Sequence, residues 1–185
     1  MNFYSEFGED RWIADNLPLP ATGYYVDVGC AHPTEGSNTA FLRARGWRGL
    51  AIDANPGWGA VWQTAAPDHF VQAFVSDKRI VSFEFKEAHY ESRITPGNTR
   101  YAAVPLWTLV DHDYDIDLLT LDVEGHEFEV LTTLDNWRIP QLPPIIVSEY
   151  NTRGIGEDMR VRDYLLARGY RLVHTTVANH IFHRA

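Results

Sequence analysis

The chain has 185 residues, 45% of them hydrophobic and 22% charged, which suits one domain with a full core. A formal net charge of -9, from 16 basic and 25 acidic residues, argues against nucleic acid as a partner, since such binding leans on clustered Lys and Arg. One cysteine, Cys30, excludes an intrachain disulfide and fits a reducing compartment, so a cytoplasmic location is expected. Residues 1–10 show no basic segment followed by an apolar run, and no apolar run approaches the roughly 18 residues of a membrane-spanning helix. Neither a signal peptide nor a membrane partner is therefore expected.

In chain order, residues 9–16 read as a short helix that breaks at Pro18 and Pro20. Residues 24–29 (Tyr-Tyr-Val-Asp-Val-Gly) form a short buried strand that stops at an acid and a glycine. A loop through Pro33 and Gly36 leads to a helix over 39–45, closed by Gly46. Residues 49–53 are a second strand ending in Asp53. Pro56 then opens a helix with Trp58, Val61 and Trp62 on its apolar face. Residues 69–75 are the third strand, ending at Ser76-Asp77. The pattern predicts a half-exposed strand over 81–85, a loop over 91–100 and a short helix over 106–112. Residues 117–122 are the fourth parallel strand, 125–134 an amphipathic helix, 145–149 the fifth strand, and 158–168 a helix closed by Gly169. Residues 170–175 and 179–182 close the chain as an antiparallel pair. The fold class is therefore α/β: one domain over 1–185 with a doubly wound, mostly parallel sheet and an antiparallel C-terminal hairpin.

Asp27, Asp53, Asp77, Asp122 and Glu149 all fall at predicted carboxyl ends of strands, which line one rim of such a sheet. An acid after a strand is often only a helix cap; five on one rim make a negative crevice. The phosphate-cradling patterns GxGxxG and GxxxxGK[ST] are absent. S-adenosylmethionine suits this rim better than a dinucleotide, because it offers an ammonium, a cationic sulfur and ribose hydroxyls. Asp53 lies 53 − 29 = 24 residues after Gly29, where a ribose-binding acid is usual. Asp77 is placed for the adenine amino group. A nicotinamide-dependent oxidoreductase and a noncatalytic cofactor-binding domain are the rival readings.

Several separated blocks then carry a family resemblance: residues 5–10 (Ser-Glu-Phe-Gly-Glu-Asp), 26–29 (Val-Asp-Val-Gly), 37–39 (Ser-Asn-Thr), 46–49 (Gly-Trp-Arg-Gly) and 121–127 (Leu-Asp-Val-Glu-Gly-His-Glu). The ordered set resembles the FkbM family of S-adenosylmethionine-dependent methyltransferases. It departs from the family's pattern at Glu6, Cys30 and Ala54. The resemblance implies a Rossmann-like class I methyltransferase fold with a seven-stranded sheet, and methyl transfer to an oxygen of a small molecule or a sugar. It assigns Asp27 and Gly29 to the methionine end of the cofactor, Asp53 to the ribose and Asp77 to the adenine side. Asn38 and Thr39 shape the loop over the methionine end. Residues 1–20 pack across the site, with Glu9 or Asp10 reaching the cofactor.

A base near the acceptor oxygen would help remove its proton. Asp122, Glu124, His126 and Glu149 are the candidates, and Asp122 is also counted among the cofactor contacts. Asp122 and Glu124 diverge unless Gly125 turns the backbone between them and the helix. His126 titrates near neutrality, its alternative being an exposed residue on a first helical turn. Glu127 reads as an acid favouring the helix dipole. Asp122, Glu149 and Asn151 also make an oxygen set for Mg2+ or Ca2+, although a metal-free site is preferred. His174, His180 and His183 read as surface residues of the hairpin, Cys30 as no nucleophile, and Trp107 as a pocket wall. Arg93, Arg100 and Arg153 are acceptor-contact options. The oligomeric state is left open, a homodimer being one option.

Overall fold

The structure is a computed structural model that describes residues 2–66, 70–82, 100–111, 113–136, 142–152, 156–157 and 159–185. Its strands are β1 (Tyr24–Val28), β2 (Arg48–Asp53), β3 (Phe70–Gln72), β4 (Phe74–Val75), β5 (Ile80–Ser82), β6 (Arg100–Val104), β7 (Leu118–Leu121), β8 (Ile145–Glu149), β9 (Asn151–Thr152), β10 (Gly156–Glu157), β11 (Arg171–Thr175) and β12 (Asn179–His183). The α-helices are α1 (Glu9–Asn16), α2 (Ala40–Ala44), α3 (Gly59–Ala65), α4 (Glu127–Thr132) and α5 (Met159–Ala167).

Seven strands form one sheet in the order β3-β2-β1-β7-β8-β12-β11, and β12 runs antiparallel to both of its neighbours. This is the expected doubly wound sheet with its terminal hairpin. The central strands are apolar on both faces because helices cover both. Tyr24, Val26 and Val28 of β1 share a core with Leu119, Leu121, Val130, Leu131 and Leu165. On the other face Tyr25 packs with Ile13 of α1, Phe41 and Leu42 of α2, and Trp47. Each such fully buried side chain contributes about 1.5–3 kcal/mol of transfer free energy. Trp58 and Trp62 are buried with Cys30 and Ala51 in a third, smaller cluster. Among the described residues, no helix is long and apolar enough to cross a membrane.

Four expectations are corrected. The third strand is two strands. Its first part pairs with β2 through Gln72, and Ala73 N donates the last bond to Asp53 O at 3.0 Å. β2 ends there, so the chain turns away, and β4 pairs instead with β6 in a separate sheet of order β4-β6-β5. β6 begins at Arg100, where the sequence suggested only the end of a loop. It is held by Phe74 stacking on Tyr101 at 4.7 Å and by pairing with β5. The helix expected over 106–112 is one 3-10 turn, Leu106–Thr108, on which Trp107 is partly exposed. His180 is buried rather than superficial, because β12 is an inner strand; it stacks on Tyr150 at 4.0 Å. Residues 83–99, Trp137, Arg93 and Arg153 lie outside the described residues.

Candidate active site

Extending each ladder by one residue sets Gln72, Asp53, Gly29, Asp122, Glu149 and Asn179 in a single row along the carboxyl edge of the sheet. Neighbours in that row are about 4.8 Å apart. Strand order reverses between β1 and β7, the place where such sheets bind ligands. At that junction Gly29 has a φ of +83°, and a Cβ on it would stand 1.7 Å from Asp122 O. Only glycine fits. Gly29 N and Cys30 N both donate to Ile52 O, at 2.8 and 3.1 Å, and Asp122 N donates to Val28 O at 2.9 Å. Three strand ends are thus stitched into one edge.

On the β1–β2 side the acids accept bonds from the loops beside them. Asp27 is buried, and its Oδ2 accepts from Thr39 Oγ1 at 2.7 Å. Burial pushes its carboxyl up to about 6, against the pull of Thr39 and Arg43. Asp53 accepts from Ala31 N at 2.9 Å and Asn55 N at 2.7 Å, while burial raises its pKa. Ser37 Oγ accepts from Thr39 N and Ala40 N, so Ser37 caps the start of α2 and leaves the Thr39 hydroxyl to Asp27. Asn38 Oδ1 is enclosed and has no hydrogen-bond partner among the described residues. Burial keeps the Cys30 thiol protonated, consistent with no nucleophilic role.

On the β7 side the chain turns at once after the strand. Glu124 has φ 57° and Gly125 φ 95°. A non-glycine residue in that region costs about 1–2 kcal/mol and is held by its surroundings. Here the holder is Glu127, whose Oε1 accepts from Val123 N at 2.9 Å and Gly125 N at 3.1 Å. Its carboxylate is buried and pushed up to about 7 by that burial, so it clamps the turn instead of facing solvent at the helix start. The Asp122 carboxyl is driven well above the ordinary range, first by burial and then by the charges of Glu149, Glu127, Glu124 and Asp27. His126 is not exposed. Its Nε2 lies 2.9 Å from Ser76 Oγ, and its Nδ1 faces Glu129 Oε2 at 3.6 Å. Glu129 in turn accepts from Arg160 at 2.9 Å.

A family model described as the methyltransferase FkbM domain matches residues 27–172, most of the chain and all of this edge except Asn179. The chain belongs to the FkbM methyltransferase family. No curated protein matches it significantly.

In this FkbM domain the N-terminal segment lies beside the β1–α2 loop, where Ser5 bridges to Gly36. Its two acids, however, bond to protein. Glu9 accepts from Thr176 Oγ1 at 2.7 Å, Asn179 Nδ2 at 2.9 Å and Phe7 N at 3.1 Å, tying α1 to the terminal hairpin. Asp10 accepts from Ser5 Oγ at 2.6 Å and Ser5 N at 3.1 Å, folding the segment back on itself. Asp77 is exposed and follows β4, so Gln72, not Asp77, fills the third-strand position in the row. Among the described residues no three His, Cys, Asp or Glu side chains are grouped to hold a metal, and of Asn151 only the backbone is described. Two residues escaped the sequence reading as contributors. Ser76 was noted only as a strand boundary, and the Ser-Asp pair at that boundary was its one signal. Glu127 was visible as a first-turn acid, with nothing local to show that it bonds backward.

Proposed function

We propose that this FkbM domain transfers a methyl group from S-adenosylmethionine to a hydroxyl oxygen of a small molecule or a sugar. The reading is carried by one observation: Asn38 Oδ1, enclosed and without a partner among the described residues, stands on the same loop as Thr39, the partner of Asp27, at the point where strand order reverses. Asp27 and Asn38 are acceptors suited to an ammonium. Asp53 accepts one N–H on each oxygen, which leaves further lone pairs for ribose hydroxyls. Asp77, exposed and next to the Ser76 that meets His126, suits the adenine amino group. When bound, S-adenosylmethionine supplies a methyl group on a cationic sulfur, open to in-line attack.

The chain's own part is positioning and proton handling. His126 is set aside as the base. A neutral imidazole has one donor and one acceptor, and both of its nitrogens face protein partners. Asp122 remains, in the row next to Gly29. Burial makes it a stronger base than a solvated carboxylate, and an adjoining cation favours the ionised form it needs. Glu124, whose charge acts on Asp122, is the second base candidate, and Glu149 is the next in the row. The expected acceptor is a small molecule or a sugar, not nucleic acid.

Calorimetric titration with S-adenosylhomocysteine tests this. One site is expected, unchanged by EDTA, with no heat from NADH. Asp53→Ala should weaken the affinity about tenfold, the loss of one hydrogen bond to a charged group. Absence of S-adenosylhomocysteine binding would sink the reading.

A further inference from the structure

Ser76 stands between Asp77 and His126. Its Oγ lies 2.9 Å from His126 Nε2 and 3.3 Å from Asp77 Oδ1, and accepts from Lys78 N at 3.1 Å. Its backbone is fixed, because Ser76 N donates to Val104 O at the end of β6 at 3.1 Å. The residue is buried, whereas Asp77 is exposed and open to a donor from a ligand. The Ser76 hydroxyl therefore has one hydrogen and two acceptors for it.

Which acceptor takes that hydrogen depends on His126. Four charged groups act on the imidazole: Glu129 from its own helix, Arg160 from α5, and Asp77 and Lys78 from the segment after β4. Burial outweighs them and favours the neutral ring. Glu129 opposite Nδ1 places the proton there, so Nε2 accepts from Ser76. Protonation of Nε2 reverses that bond. The ring then donates to Ser76 Oγ, and the hydroxyl hydrogen turns to Asp77.

We propose that Ser76 is a positioning residue whose hydroxyl couples Asp77, on the adenine side of the cofactor site, to His126 and the turn that presents Asp122 and Glu124. This rests on the assignment of Asp77 made above. A ligand N–H on Asp77 displaces the Ser76 hydrogen toward Nε2, so an occupied Asp77 and a neutral His126 favour one another. The coupling is reciprocal. A ligand there lowers the His126 pKa, and the affinity for that ligand falls as pH drops through it.

The test is a 15N titration of the His126 ring in the full chain, with and without saturating S-adenosylhomocysteine. Asp27 titrates in a neighbouring range, so the ring signal is the readout and not the overall affinity profile. In the wild type the ligand should lower the His126 pKa by about half a unit, equivalent to about threefold tighter binding to the neutral form. Ser76→Ala should abolish the shift and Ser76→Thr should restore it. Asp77→Ala, which removes the proposed ligand contact, should weaken binding and, once saturated with ligand, leave the His126 pKa unmoved by it. The same shift in Ser76→Ala as in the wild type, or no shift in a wild type that binds the ligand, would overturn the coupling and leave the proposed function standing. Failure of the wild type to bind S-adenosylhomocysteine would overturn both.

Discussion

The two sides of the strand-order reversal handle buried acid differently. On the β1–β2 side, Asp27 and Asp53 each accept short bonds from the loop that follows β1 or β2, and one of those bonds, from Ala31 N to Asp53, pins a residue whose own φ is 44°. On the β7 side the backbone also turns through the left-handed region, but there Asp122 is crowded by four other carboxylates. A carboxylate with donors around it is preorganised to hold a ligand and stays where it is put. A carboxyl crowded by like charge is poised to change its proton. Under the proposed function the contrast gives holding to one side and chemistry to the other, although Asp53 and Asp122 stand in one row of residues.

Gly29 joins the sides, so it is the place to break the contrast. Gly29→Ala would put a methyl group 1.7 Å from Asp122 O and force an L side chain onto a φ of +83°. The strand ends must separate. A loss of about 4 kcal/mol or more is expected, enough to unfold a marginal domain, and thermal denaturation measures it. A melting temperature near that of the wild type would mean that the two edges are not in contact.

Glu127 tests the β7 side alone. Both of its backbone bonds end on one oxygen, Oε1, so Glu127→Gln keeps both and removes a buried ionisable group. Glu127→Ala keeps neither. About 2–3 kcal/mol of stability should be lost in the alanine variant and less than about 1 kcal/mol in the glutamine variant, by denaturant titration. The sign with pH follows from a folded pKa of about 7, above the unfolded value. The folded state keeps a proton that the unfolded state has already released, so this group costs stability as pH rises toward 7, and Glu127→Gln should flatten that slope. S-adenosylhomocysteine affinity should hardly change in either variant if holding belongs to the other side.

How much of this was legible in the sequence follows the same division. The β1–β2 side was readable because its signals are local: an apolar run, an acid, a glycine, then a second run ending in an acid. Residues 24–29 and 49–53 show that pattern in the order the fold uses it. The split of 69–75 was not readable. Phe70 to Gln72 and Phe74 to Val75 have the same alternation, and what divides them is that β2 stops at Asp53. The role of His126 was equally hidden. A polar residue before a helix normally meets water, whereas this one is buried and meets Ser76, fifty positions away in sequence. Glu9 likewise looked free to reach a ligand until β12 brought Asn179 to it. Contacts between distant segments decided these roles, and no periodicity records them.

The smallest effect is expected at Thr39, and it sharpens the holding side. Thr39→Val removes the hydroxyl that donates to Asp27 and keeps the shape, while Thr39→Ser keeps the bond. That bond favours the ionised carboxylate, so without it the Asp27 pKa should rise above its value of about 6 by roughly one unit. The folded pKa lies above the unfolded one, so Asp27 favours the folded state at low pH, and that contribution is lost as pH rises through about 6. The valine variant moves this window upward. An ammonium needs the ionised form, so S-adenosylhomocysteine affinity should climb with pH through the same window, about one pH unit later in Thr39→Val than in the wild type. At pH 6 the difference should be several-fold, close to about 1 kcal/mol, and at pH 7 only about twofold. Thr39→Ser should follow the wild-type curve. A valine variant with an unmoved curve would show that Asp27 does not meet the ammonium, and the holding role would then pass to Asp53 and Asn38.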